Sequence, residues 1–183
     1  MSLRPVRIYG DPVLREKARA VTAFDESLRA LVADLFDTMR AYNGVGLAAN
    51  QVGVAQRVFV VDVPGEDGAH DRFAVVNPEL SERSGRDSAE EGCLSMPGIH
   101  EDVTRATKLH LRGFDEHGAP IDRIVTDFLA RAVQHETDHL DGVLFTDRLG
   151  LLKKQFLRRN LDQLARGEVP ESYHPGAGQG RDI

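Results

Sequence analysis

Tryptophan is absent from this 183-residue chain and cysteine occurs once. A single cysteine excludes an intrachain disulfide, and nothing in the sequence routes the chain out of the cytoplasm. Aromatic residues are scarce at 6%, so the core has to rest on Leu, Val, Ile, Ala and eight Phe. Long apolar runs are missing too. No stretch approaches the roughly 18 residues that a membrane-spanning helix needs. Met1 to Arg7 carry charge but not the apolar centre of a signal peptide. There is no excess of positive charge: 23 Lys and Arg stand against 29 Asp and Glu, a formal charge of −6. That balance disfavours a broad nucleic-acid footprint and leaves room only for a local basic patch, so no specific DNA partner is expected. What is present, 41% hydrophobic and 28% charged residues, is the balance of one soluble globular domain.

Periodicity organises the chain. Leu28, Leu31, Val32, Leu35, Phe36 and Met39 form one apolar stripe, which predicts an amphipathic helix over Asp25 to Tyr42, ended by Asn43-Gly44. A glycine-rich loop, Gly44 to Gly53, follows. Arg57 to Val63 and Phe73 to Val76 read as β-branched strands, and Ser81 to Glu91 as a polar loop. Val103 to Phe114 alternates partly, and Asp115 to Gly118 turns into Ile121 to Val125. A second helix is expected from about Thr126, an N-cap candidate, to Leu140, closed by Gly142. A third is expected from Asp147 to Arg166. Residues 167–183 lack periodicity and are expected to form a flexible tail, leaving 1–166 as one domain. The fold class is α+β: short, mainly antiparallel strands around a central helix, with an N-terminal and a C-terminal helix.

The most informative residues are His135-Glu136-Thr137-Asp138-His139. On a helix, positions i and i+4 lie on one face, so both imidazoles can reach one ion, and Glu136 can lean over its open coordination position. Seven His and twelve Glu would produce this pattern in roughly 2 of 100 shuffled chains. A catalytic site needs a third protein ligand. The extended metalloprotease pattern fails, because Gly142 is present but position 145 is Phe. Two alternatives stay open: a downstream glutamate, Glu168 or Glu171, or Cys93 in Glu91-Gly92-Cys93-Leu94-Ser95. As a thiolate, Cys93 would complete a site suited to Fe(II), Zn(II) or Ni(II).

Gly44-Val45-Gly46-Leu47-Ala48-Ala49 formally satisfies a dinucleotide-binding fingerprint, but that motif needs a strand before it and a helix after it, and here the order is reversed. Taken together and in order, Gly44 to Gln51, Glu91 to Ser95 and Gln134 to His139 resemble the bacterial peptide deformylases. The resemblance extends from about Ile8 to Arg166. It implies hydrolytic removal of the N-formyl group from the N-terminal formyl-methionine of nascent polypeptides, releasing formate. It further implies that Cys93, His135 and His139 hold the metal and that Glu136 is the catalytic carboxylate. Gln51 and the backbone N–H of Leu94 would bind the developing oxyanion. The main chain of Val45, Gly46 and Gly92 would pair with the extended substrate. The implied cofactor is one divalent ion, natively Fe(II), with Zn, Ni or Co as replacements.

His100 stands where some members have a substrate-contacting arginine, so no role is transferred to it. Arg131 stands where an apolar residue would line the methionine pocket. On the third helix, Lys154, Arg158 and Arg159 lie opposite Leu152, Phe156, Leu161 and Leu164, a basic face that reads first as a solvated surface and second as a contact with the ribosome.

Overall fold

The computed structural model describes residues 3–65 and 68–176. Residues 1–2 and part of the expected tail, 177–183, lie outside the described residues. The first helix, α1, is Glu26–Ala41; the Asp25 carboxylate accepts the Leu28 N–H and caps it. Asn43 takes the left-handed conformation at its end (φ 58°). The expected glycine-rich loop is not a loop. It folds into a short strand, β1 (Gly46–Ala48), and a 3₁₀ turn, Ala49–Val52, all buried.

The main sheet has five antiparallel strands in the order β1, β2 (Val58–Pro64), β3 (His70–Ser84), β6 (Lys108–Phe114) and β7 (Pro120–Thr126). β3 is longer than the expected Phe73 to Val76. Asn77-Pro78 read as a stop, yet the strand absorbs the proline at an irregularity between Val76 and Glu79 and continues. The expected polar loop, Ser81 to Glu91, is likewise mostly strand. Its second half, β4 (Asp87–Glu91), pairs with β5 (Glu101–Arg105) in a separate two-stranded sheet. Its polar composition reflects exposure rather than irregular backbone. The single segment expected over Val103 to Phe114 is two strands of different sheets, β5 and β6, parted at Ala106-Thr107.

The second helix, α2, is Asp127–Leu140, though the Thr126 side chain makes no capping bond. Strand β2 is buried on both faces. Phe59, Val61 and Val63 pack with Ala130, Val133 and Leu140 of α2. Val58 and Val60 pack with Leu31, Leu35 and Met39 of α1. Period-two alternation thus sends one strand's side chains into two cores, each contacting a helix.

The third expected helix starts later. Phe145–Arg148 is a 3₁₀ turn, and α3 proper is Leu151–Ala165. Only its Leu157, Leu161 and Leu164 join the core, with Leu14, Cys93, Met96 and Phe145. The expected apolar face is therefore only partly right, since Leu152 and Phe156 are 72% and 82% exposed. After Arg166, Tyr173 Oη donates to the Leu94 carbonyl at 2.5 Å, and its ring packs against Tyr42. Among the described residues no helix is long and apolar enough to cross a membrane.

Candidate metal centre

Helix α2 presents His135 and His139 one turn apart, and the turn after β4 brings Cys93 to them. That turn is fixed by Met96 N–H donating to the Cys93 carbonyl at 2.8 Å. His139 Nε2 lies 3.2 Å from His135 Nε2 and 3.2 Å from Cys93 Sγ. A single proton can join two such atoms, but it cannot serve three converging donors. In a tetrahedral shell, two imidazole nitrogens sit about 3.3 Å apart and a nitrogen–sulfur pair about 3.6 Å. The three side chains therefore fit one ion, and all three are buried. The alternative ligands in the C-terminal segment are not brought there; Glu168 pairs with Arg166 instead.

The surroundings set the chemistry of these groups. His135 Nδ1 bonds to Glu91 Oε2 at 3.0 Å, which leaves Nε2 to face His139 and Cys93. Burial pushes the His139 imidazole well below its ordinary pKa, reinforced by neighbouring His135, so it is neutral and ready to coordinate. Asn50 Nδ2 donates to the His139 carbonyl at 2.6 Å and ties the helix to the 3₁₀ turn. Burial pushes the Glu136 carboxyl well above the usual range, and the charge of Glu91 adds to it. Neither Glu136 oxygen has a hydrogen-bond partner among the described residues. Gly46 explains how the carboxylate fits: a Cβ there would lie 2.5 Å from Glu136 Oε1.

Gln51 is oriented by its own main chain. Its Oε1 accepts the Ala48 N–H at 2.8 Å, so its Nε2 points to Ser95 Oγ at 3.1 Å and Cys93 Sγ at 3.6 Å. Leu94 follows Cys93 in the turn, its side chain against Gly44. Val45, Gly46 and Gly92 are buried beside these groups, and β1 is paired on one edge only, by β2. His100 is exposed.

Sequence reasoning gave no role to Glu91 or Arg105. Glu91 receives both arms of Arg105 at 2.9 Å and Arg131 at 2.8 Å. Burial opposes its ionisation, but the hydrogen bonds and charges of Arg105 and His135 outweigh it and hold its carboxyl well below the usual range. Arg105 continues to Asp138, which Arg148 also grips. Arg131 donates as well to the Val103 carbonyl at 2.7 Å. The signal for Arg105 was its parity with Val103, which puts its side chain on the buried face of β5.

Residues 3–155 match the polypeptide deformylase family. The peptide deformylase of Acidothermus cellulolyticus is 45% identical over 183 residues, 98% of this chain and 99% of that protein. Peptide deformylase 1 of Corynebacterium efficiens is 52% identical over 151 residues, covering 81% of this chain and 88% of its own. Among solved structures, the peptide deformylase from Thermus thermophilus has a TM-score of 0.84 at 38% identity, covering 91% of this chain and 99% of that one. The enzyme from Legionella pneumophila gives 0.82 at 41% identity, covering 91% and 98%.

Proposed function

The chain belongs to the polypeptide deformylase family, and from that premise we propose how its residues divide the work. The activity is that of the family: hydrolytic removal of the N-formyl group from formyl-methionyl peptides, a processing step of protein synthesis. The observation that carries the reading is the convergence of Cys93, His135 and His139 beside a buried carboxylate, Glu136, whose oxygens have no protein partner among the described residues.

Cys93, His135 and His139 would hold one divalent ion, natively Fe(II), with Zn, Ni or Co able to replace it, since a thiolate with two imidazoles suits all of them. When bound, such an ion supplies Lewis-acid polarisation and lowers the pKa of water toward neutrality. Glu136 takes the proton of the attacking water on a carboxylate oxygen and returns it to the leaving amine. Gln51 Nε2 and the Leu94 N–H donate to the oxyanion, each contributing ~3 kcal/mol to the transition state. The main chain of Val45, Gly46 and Gly92 pairs with the extended peptide along the open edge of β1. Glu91 fixes the His135 ring for its task.

We take 1–166 as the catalytic domain, built around α2 as its central helix, with a C-terminal segment beyond it whose Tyr173 docks on Leu94 and Tyr42. The setting is cytoplasmic. The basic residues of α3 read first as a solvated face and second as a contact with the ribosome; Arg158 and Arg159 are exposed, and Lys154 is turned toward the Asp147 carbonyl at 2.8 Å.

The test is formate release from formyl-Met-Ala-Ser by protein prepared without oxygen, with metal analysis of the same sample. Formate in proportion to metal content supports the reading. Cleavage of an internal amide regardless of formylation would make the chain a peptidase and defeat it.

A further inference from the structure

The helix that carries His135 and His139 also presents Gln134 and Asp138 to a cavity of about 470 Å³. Four arginines surround it, Arg83, Arg86, Arg105 and Arg148, against one carboxylate, Asp138. In a chain of net charge −6, such a concentration of guanidinium groups is a local departure from composition.

The four are not equivalent. Arg105 is held by Glu91 and Asp138, and Arg148 by Asp138. Those bonds occupy the one carboxylate, so Asp138 is not available to receive a cation. Arg83 and Arg86 are exposed and form no ion pair with any described residue. They flank Ser84-Gly85, where β3 gives way to β4. That turn lies hard against its neighbour: Gly85 has φ of +66°, and a Cβ there would meet Thr107 Oγ1 at 2.0 Å. Thr107 N–H also donates to the Ser84 carbonyl at 3.2 Å. The two guanidinium groups without an ion pair among the described residues therefore stand at the exposed side of this cavity, with two further arginines in its lining.

We propose that this cavity is an anion site for a compact, multiply charged oxyanion of the phosphate class, with Arg83 and Arg86 as its main donors. Forked guanidinium groups match phosphate oxygens two at a time, and several of them together favour a polyanion over a single carboxylate. The inference does not depend on the chemistry assigned to Glu136 or Gln51.

The experiment is isothermal titration of the metal-loaded full chain with inorganic pyrophosphate and, separately, with a nucleoside diphosphate, each against chloride at matched ionic strength. Saturable binding of one equivalent is expected, weakened at least ~10-fold in the Arg83→Gln/Arg86→Gln double variant. Formate release and melting temperature should not change in that variant, because both side chains are exposed and outside the metal centre. Tighter binding of the nucleoside diphosphate would identify a nucleotide as the source of the phosphate, and equal or tighter binding of pyrophosphate a free polyphosphate. Absence of saturable binding overturns the proposal. So does binding that survives the double substitution and competes with the formyl peptide, which would put the anion on the metal.

Discussion

Replacing Gly46 by alanine asks whether this glycine is a piece of strand or the clearance for a carboxylate. The backbone of Gly46 is extended in β1 and does not need the left-handed region, so alanine brings no backbone strain. What it brings is a methyl group 2.5 Å from Glu136 Oε1, 2.9 Å from Cδ and 3.0 Å from Cγ. Ordinary contact begins at 3.4 Å, so the carboxylate has to retreat by about 0.9 Å. Because Glu136 is fully buried, it has no open solvent to retreat into. Displacing a reacting group by ~1 Å costs on the order of 10² in rate, whereas overpacking by one methyl costs ~1–3 kcal/mol of stability. At about 2–4 °C per kcal/mol for a chain this size, Gly46→Ala should melt a few degrees lower and still be folded at 25 °C. The register of β1 on β2 is kept, so KM for formyl-Met-Ala-Ser should hardly move while kcat falls ~10²-fold. Steady-state formate release reads kcat and KM, a thermal melt reads the stability, and metal analysis shows whether the ion is bound. A variant that turns over within about threefold of the parent, with metal bound, would show that Gly46 does not set the position of Glu136 and would refute the reasoning.

Glu136→Ala should retain one equivalent of metal, since the three donors are untouched, and lose at least ~10² in turnover; an apo variant or normal formate release contradicts the role given to Glu136. Arg105→Met removes the 3%-exposed guanidinium between Glu91 and Asp138. Taking one partner from a buried network costs ~3 kcal/mol, a drop of roughly 6–12 °C in Tm; a shift under ~2 °C by circular dichroism would count against it. Cys93 should resist alkylation in the metal-loaded protein and react quickly once a chelator strips the ion, and Cys93→Ser should bind metal weakly. Equal labelling rates in the folded loaded and stripped forms would remove it from the site.

Asp147 tests the pH dependence. Burial opposes its ionisation, but hydrogen bonds from Arg15 and the Leu144 N–H, with the Arg15 charge, outweigh it and lower its pKa from 3.8. A lowered carboxyl contributes stability that is present above its unfolded value and lost as pH falls through its folded one. Asp147→Asn keeps the oxygen that accepts the Leu144 N–H and loses only the ion pair with Arg15, which solvent screens, so it should cost no more than about 0.5 kcal/mol at pH 7, and the gap to the parent should close as the pH drops below 3.8. A gap that stays constant down to acid unfolding would show that the carboxylate's charge does not matter.

Legibility in the sequence followed the strength of each local signal. α1 was readable because six apolar residues fall on one stripe, and α2 because Gly142 and Thr126 frame a periodic run. That His135 and His139 share one helix face was readable because i, i+4 spacing is a geometric statement about one helix, whereas the approach of Cys93 joins two elements and no spacing encodes it. Long β3 was not, since Asn77-Pro78 carries the chemistry of a turn and only pairing with β6 carries the strand past it. β4 was missed because a half-exposed strand such as Asp87-Ser88-Ala89-Glu90-Glu91 has the composition of a loop. Glu91 and Arg105 were invisible as partners because their contact joins β4 to β5 and α2, and no period within one element encodes it. The apolar side chains on α3 misled for the opposite reason, since helical spacing says which residues share a face but not whether anything covers it.

The bond from Glu91 to His135 ends a chain of charges that begins at the surface with Arg148 and passes through Asp138 and Arg105. Every link is made by the chain's own side chains, and they come from the 3₁₀ turn at Phe145–Arg148, α2, β5 and β4. The direction in which the His135 ring faces is therefore a property of the assembled tertiary structure and not of the helix that bears it. A peptide of α2 alone would keep the i, i+4 spacing of its two histidines and lose the aim of the first. Sequence neighbours supply the imidazoles; distant strands decide how one of them stands.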